Sequence, residues 1–318
     1  MVSNNSLLAI LLGFPKKRKK RQAGAIYGPG RANSGYDDNN KVQPKEDLYK
    51  RVPPFTHSGE QRHPYADDAA FLFYIKDYLE SKGLRSKPAF DALEARKGGK
   101  KFTLSEHIRG LIYSLLSNQT PWVRIEPHLH EVDAVFFNYD VNLIRSKSGS
   151  YFENALFQLK CGNRKTSAQM YGLHDNIATF ERLSSTYGSM DAFVTSAPAH
   201  EIVKLLSWSG SEYKLHQVGE ALAWEYLRNV GIDGAKPDLH MRRFFGCSRL
   251  GVSQNESASA QEVIDRVSEL SKETGLSMAA IDNLIWSFCA DGYGEICTAK
   301  PSCSKCVIRR YCIRGKRA

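Results

Sequence analysis

Four cysteines follow one another as C-x5-C-x2-C-x5-C in CTAKPSCSKCVIRRYC, at Cys297, Cys303, Cys306 and Cys312. Thiolates at fixed spacing are soft metal ligands. A structural zinc site usually offers two close pairs, each gripping one edge of a tetrahedron. Here a single close pair is flanked by two outlying thiols, a spacing that suits the four separated corners of an iron–sulfur cubane. Zinc and free thiols stay open beside that reading. Cys161, Cys247 and Cys289 stand alone in apolar contexts and read as core residues. A second candidate is the carboxylate in KPDLHMRRFF. Pro237 restricts the chain before it, and Asp238 occupies a helix N-cap position. A cap is one role. A carboxylate fixed by helix N–H groups also stays ionised at neutral pH and can oppose positive charge that develops beside it. His128, His130 and Glu131 of HLHE would share a face on a strand but not on a helix.

The elements that must position these groups are helical. DDAAFLFYIKDYLESKG places Phe71, Tyr74, Ile75, Tyr78 and Leu79 at helical spacing and ends at Gly83. LSEHIRGLIYSLLSNQT places Ile108, Leu111, Ile112 and Leu115 on one face, with Ser105 as the expected cap. ASAQEVIDRVSELSKETG and SMAAIDNLIWSFC carry two further apolar stripes, and Trp286 and Phe288 of the latter read as core aromatics. VDAVFFNYDVNLI is ambiguous between strand and helix. The expectation is an all-α region over residues 65–318.

The chain of 318 residues can bury a sizeable core, and its seven cysteines are too few for a disulfide scaffold. With 44 Lys and Arg against 34 Asp and Glu, the formal charge is +10. That balance favours a polyanionic partner, nucleic acid first and an anionic membrane surface second. Residues 1–64 lack a helical or strand period and include the cationic run Lys16–Arg21, which supplies +6 of that charge. They read as a flexible basic arm, whether a solvated tail, a non-specific phosphate-binding segment or an import-like signal. LLAILLGF has neither the basic flank nor the cleavage site of a secretory signal, and nothing reaches the ~20 apolar residues of a membrane helix. The expected setting is intracellular, with reduced thiols and no membrane partner.

The cysteine segment resembles the iron–sulfur loop of the endonuclease III group of helix-hairpin-helix (HhH-GPD) DNA glycosylases, whose first loop is one residue longer. KLHQVGEALAWEYLRNVGIDGAKPDLHMRRFFG resembles the same family's hairpin, following helix and catalytic aspartate, with Gln217 standing where the first hairpin glycine is usual. LLSNQT is similar to the stretch carrying the DNA-inserting glutamine.

The resemblance implies two helical lobes with DNA across the cleft. The middle of the chain would form one lobe; the N-terminal helix and the C-terminal helices with the cluster would form the other. It implies a helical glycosylase domain over 65–288 and a cluster loop over 289–318, binding a 4Fe-4S cluster, or alternatively zinc, through Cys297, Cys303, Cys306 and Cys312. Cys289 could replace Cys297 as a ligand. Asp238 would be catalytic. Gln119 would fill the hole left by a flipped nucleotide. Gln217, Val218 and Gly219 would bind phosphate, and Lys300, Lys305, Arg309 and Arg310 would face the DNA backbone. Strand-cutting members carry a Schiff-base lysine two residues after the second hairpin glycine, where this chain has Ala221. The implied enzyme is therefore a monofunctional glycosylase acting as a monomer on double-stranded DNA with a damaged or mispaired base. Lys214 and Lys236 are nearby amines outside the motif. Ser114, where the adenine-mismatch branch has a glutamate, argues against adenine excision by that mechanism. The rival is a non-catalytic DNA-binding protein that kept the fold and cluster.

Overall fold

The computed structural model describes residues 69–84 and 88–317, all helical or irregular with no strand among them. The expected basic arm, Lys16–Arg21 included, lies outside the described residues. The helices are α1 (Phe71–Ser81), α2 (Pro88–Lys97), α3 (Leu104–Leu116), α4 (Leu129–Val135), α5 (Val141–Arg145), α6 (Gly149–Gln158) and α7 (Thr166–Tyr171). There follow α8 (Leu173–Tyr187), α9 (Met190–Val194), α10 (Ala199–Ser207), α11 (Glu220–Asn229) and α12 (Leu239–Phe244). The chain closes with α13 (Ala260–Thr274), α14 (Met278–Cys289) and α15 (Ile313–Lys316).

One hydrophobic cluster joins the two ends of this set. Leu72 and Ile75 of α1 meet Met241 and Phe244 of α12, Val263 and Val267 of α13, and Ile281, Ile285 and Phe288 of α14. Tyr78 packs edge-on against Phe288 with ring centroids 5.8 Å apart. Each fully buried aliphatic or Phe side chain of this kind contributes about 1.5–3 kcal/mol, so α1 is held mainly by its apolar stripe. The second group centres on α3 and α11. Gly110 lets them approach closely, since a Cβ there would stand 3.0 Å from Val230 Cγ1. Ser114 Oγ donates to the Leu222 carbonyl at 2.6 Å, and buried His107 and Tyr226 share a 2.7 Å hydrogen bond.

One local expectation needs correcting, and one ambiguous run is resolved. Helix α3 is capped by Thr103, not Ser105: Thr103 Oγ1 accepts from Glu106 N–H while the Glu106 carboxylate accepts from Thr103 N–H. That reciprocal box satisfies two otherwise orphan donors. The ambiguous run is helix–turn–helix, with Phe137, Asn138 and Tyr139 all at positive φ (53°, 50° and 66°). Left-handed non-glycine residues cost about 1–2 kcal/mol each. The Tyr139 hydroxyl on Asp133 and the 4.8 Å stack of Phe136 on Phe152 offset that cost.

Candidate active site

Between the α3–α11 group and the terminal group lies a cleft of about 600 Å³. Asp238 is on its wall as N-cap of α12. Its Oδ1 accepts from His240 N–H at 2.8 Å and Met241 N–H at 3.1 Å. One carboxylate oxygen is thus fixed to the helix start while the side chain remains half-exposed to the cleft. Ala221, the second residue of α11, lines the same cleft.

Beneath Asp238 runs a buried ionic ladder. Arg228 Nη1 reaches Asp282 Oδ2 at 2.7 Å and Glu225 Oε2 at 3.1 Å, and Lys236 Nζ stands 3.7 Å from Glu225 Oε2. Lys236 Nζ also donates to Ser117 Oγ at 3.1 Å, and its backbone N–H donates to Asp282 Oδ1 at 3.1 Å. Burial works to raise the Glu225 carboxyl, but Lys236 and Arg228 outweigh it and hold it below the usual carboxylate range. Asp282 fares differently. Burial, with Asp238 and Glu225 nearby, pushes its carboxyl up to about 7 despite Arg228. Three carboxylates share two cations here, so one proton resides most easily on the most buried acid. Burial lowers His240, against the pull of Asp238.

The aromatic walls were not legible as such. Trp286, expected in the core, is half-exposed on the cleft, edge-on to Tyr293 at 4.8 Å and to His240 at 6.2 Å. It sits one helical step off the buried stripe of Ile281, Ile285 and Phe288. Phe288 is buried as expected. Tyr293 donates to Glu126 Oε2 at 2.9 Å, bridging the two helical groups across the cleft.

Gln119 lies on the same cleft, exposed and left-handed (φ 59°), with Oε1 held by Arg164. Gln217 adopts φ 59° as well. Gln217 therefore takes a left-handed conformation that glycine adopts most readily, just before the start of α11. Val218 is buried and Gly219, the N-cap of α11, is exposed with open space before it. Lys214 Nζ clamps this turn, donating to the Leu215 and Val218 carbonyls. It is not a cleft residue, whereas Lys236 is.

Cys297, Cys303, Cys306 and Cys312 line one small cavity with Arg249 and Gly315. Burial, with the other three sulfurs close by, pushes the Cys306 thiol up to about 11. Cys289 lies outside the cavity and keeps its proton on burial, donating it to Cys297; with burial opposing and Arg249 assisting, Cys297 falls to about 6. Arg249, 4% exposed, donates to Cys297 Sγ at 2.7 Å, Cys297 O at 2.9 Å and Thr298 O at 2.8 Å. The Gly315 N–H points at Cys312 Sγ at 3.4 Å. Donors aimed at sulfur are what bound thiolates require, so the donor set fits a thiolate-held group. No three His, Cys, Asp or Glu side chains among the described residues stand at metal-holding geometry, and the cavity holds only about 10 Å³. His130 and Glu131 lie on α4, with His128 just before it, so they do not share a face. Cys161 is buried, but Cys247, expected in the core, is half-exposed beside Glu256.

Lys300, Lys305 and Arg309 are exposed on the cysteine loop. Arg310 is exposed but engaged: its guanidinium stacks 4.8 Å from both Tyr74 and Tyr311 and donates to both hydroxyls.

No family model and no curated protein matches the chain. Among solved structures it is similar to the Methanocaldococcus jannaschii 8-oxoguanine glycosylase/lyase in complex with a 15mer DNA containing 8-oxoguanine. Identity is 16%, the TM-score 0.47, and the likeness covers 69% of this chain and 96% of that one.

Proposed function

We propose that the protein is a DNA glycosylase that extrudes a damaged or mispaired base from double-stranded DNA and hydrolyses its N-glycosidic bond, without cutting the strand. The observation that carries this reading is Asp238, fixed through one oxygen to two N–H groups at the start of α12 and open to a cleft whose rim presents Gln119. In this reading the extruded nucleotide enters the cleft, an excursion costing a few kcal/mol and least for poorly paired bases. The anion opposes the positive charge that builds on C1′ as the C1′–N bond breaks. The bonding pair leaves with the base, water forms the new C1′–O bond, and one water proton ends on the base. The products are free base and an abasic sugar.

Ala221 offers no amine. Lys236 does reach the cleft, but Glu225 and Ser117 hold its Nζ in the floor, which supports hydrolysis over Schiff-base chemistry. Gln217, Val218 and Gly219 are assigned to phosphate, with Lys300, Lys305, Arg309 and the outer edge of Arg310. Cys297, Cys303, Cys306 and Cys312 are assigned to a 4Fe-4S cluster, with zinc as the alternative. The cluster would cross-link the loop, and base release passes through none of it. The assigned setting is a monomer acting on DNA inside the cell.

The test is a panel of duplexes each carrying one lesion or mismatch, incubated with the wild type and with Asp238→Asn. Strand breaks at one lesion, only after alkali and only with the wild type, are expected. Binding without base release by either protein would favour a DNA-binding module instead. Breaks without alkali would overturn hydrolysis as the sole chemistry.

A further inference from the structure

Gln119 is not a free side chain. Arg164 donates Nε–H and Nη2–H to Gln119 Oε1 at 3.1 and 2.6 Å. Arginine carries only donors, so the amide oxygen must face it and the NH₂ group must face away. The support beneath Arg164 is rigid. Asn163 and Gln169, both buried, each donate to the Leu115 carbonyl at 3.2 Å, and Asn163 Oδ1 accepts from Lys165 N–H at 2.7 Å. The loop bearing Arg164 is therefore docked on the end of α3, the helix that leads into Gln119. Lys160 enters this loop at φ 58° and Gln119 leaves α3 at φ 59°. Two left-handed non-glycine residues thus shape the pair of loops, a conformation that persists only where the surroundings impose it.

We infer that Arg164 turns Gln119 into a donor-only probe and thereby selects the base left unpaired opposite the extruded nucleotide, cytosine first. This rests on the glycosylase reading above, in which Gln119 enters the vacated stack. With its oxygen occupied, the Gln119 amide offers only N–H groups, and the remaining Arg164 N–H groups are donors too. The edge that suits them must present acceptors. Cytosine shows two adjacent acceptors, N3 and O2. Thymine's O2 and O4 are separated by a donor, guanine has O6 beside two donors, and adenine has N1 beside one. Adenine and guanine are therefore the poorest partners. A matched pair of hydrogen bonds at a base edge is worth about 1–3 kcal/mol, or roughly 5- to 150-fold.

The experiment uses the full chain and duplexes carrying a stable abasic analogue opposite each of the four bases, plus a fully paired duplex, at one fixed salt concentration. The wild type should bind the cytosine duplex about tenfold more tightly than the adenine duplex. Arg164→Gln should bring all four abasic duplexes within about twofold of one another, because the amide is then free to turn over. Arg164→Lys keeps the charge without the fork and should also flatten the preference. Gln119→Glu, which leaves an acceptor oxygen pointing outward, should move the preference away from cytosine. Equal wild-type affinity for all four, all tighter than paired DNA, would overturn the inference and leave the glycosylase reading standing. Uniform weakening by Arg164→Gln, restored by Arg164→Lys, would also overturn it, marking a phosphate contact. Abasic duplexes bound no tighter than paired DNA would bring down both.

Discussion

Asp282→Asn should stabilise this protein at alkaline pH, although it removes one partner of a buried ion pair. Asp282 is 2% exposed at the side chain and bonded to Arg228 at 2.7 Å. Its carboxyl lies at about 7, against 3.8 when unfolded, with burial the main cause. A raised folded value means that the folded state binds the proton more tightly. The associated stability is fully present below 3.8 and is lost as pH rises through about 7. Each pH unit in that window costs about 1.4 kcal/mol, so the full loss is about 4 kcal/mol. Asparagine does not titrate, keeps an oxygen for the Lys236 N–H, and leaves Arg228 with Glu225. The advantage of the variant should therefore widen by about 2 kcal/mol between pH 5.5 and pH 8. For a chain of this size that corresponds to roughly 4–8 °C in Tm. Thermal unfolding of both proteins across that range, followed by circular dichroism, reads it directly. A variant less stable than wild type at pH 8, or a gap equal at both ends, would mean that Asp282 is ionised and satisfied by Arg228, refuting the assignment of the shared proton.

Gln217 pays for its left-handed backbone, so Gln217→Gly should leave DNA affinity intact or raise it, with stability changed by less than about 1 kcal/mol. Gln217→Val, branched at φ 59°, should weaken binding several-fold and destabilise by about 1–2 kcal/mol; fluorescence anisotropy and urea unfolding check both. Arg249→Met removes all three of its donations around Cys297. It should lower the affinity of the cysteine loop for its metal about 10- to 100-fold, seen as iron (or zinc) content per chain and as absorbance near ~400 nm for a cluster.

Long apolar periodicities are legible in the sequence itself. Helices α1, α3, α13 and α14 appear where Ile75, Ile108, Val263 and Ile281 mark their stripes. Asp238 could be placed at a helix start because proline, aspartate and an apolar run stand in the right order. Other parts were hidden for physical reasons. Arg249 meets Cys297 across 48 positions, a pairing that no local spacing encodes. Arg164 meets Gln119 across 45. Asp282 leaves a trace, as the one charge in SMAAIDNLIWSFC, but its partner on α11 is invisible from that helix alone. Trp286 was misplaced because at 100° per residue it flanks the buried stripe, and a half-buried aromatic has the same sequence signature as a buried one.

The ionic ladder lines the cleft beside Asp238, with Ser117, Glu225, Arg228, Lys236 and Asp282 all on its surface. Ser117 ends α3, Glu225 and Arg228 belong to α11, Lys236 and Asp238 lie between α11 and α12, and Asp282 lies on α14. Glu225–Arg228 is a pair within α11, whereas Ser117–Lys236, Lys236–Glu225 and Arg228–Asp282 each join different segments beside the carboxylate. An amine in the same floor would ordinarily be a nucleophile in waiting. Here it is spent on Glu225 and on a hydroxyl, and the position two residues past Gly219 holds a methyl group. Breaking Lys236 free would leave the buried Glu225 carboxylate with Arg228 as its one close cation, which Asp282 also engages. The packing that keeps Lys236 on Glu225 and Ser117 thus supports the hydrolysis we propose, alongside the alanine that lines the same cleft.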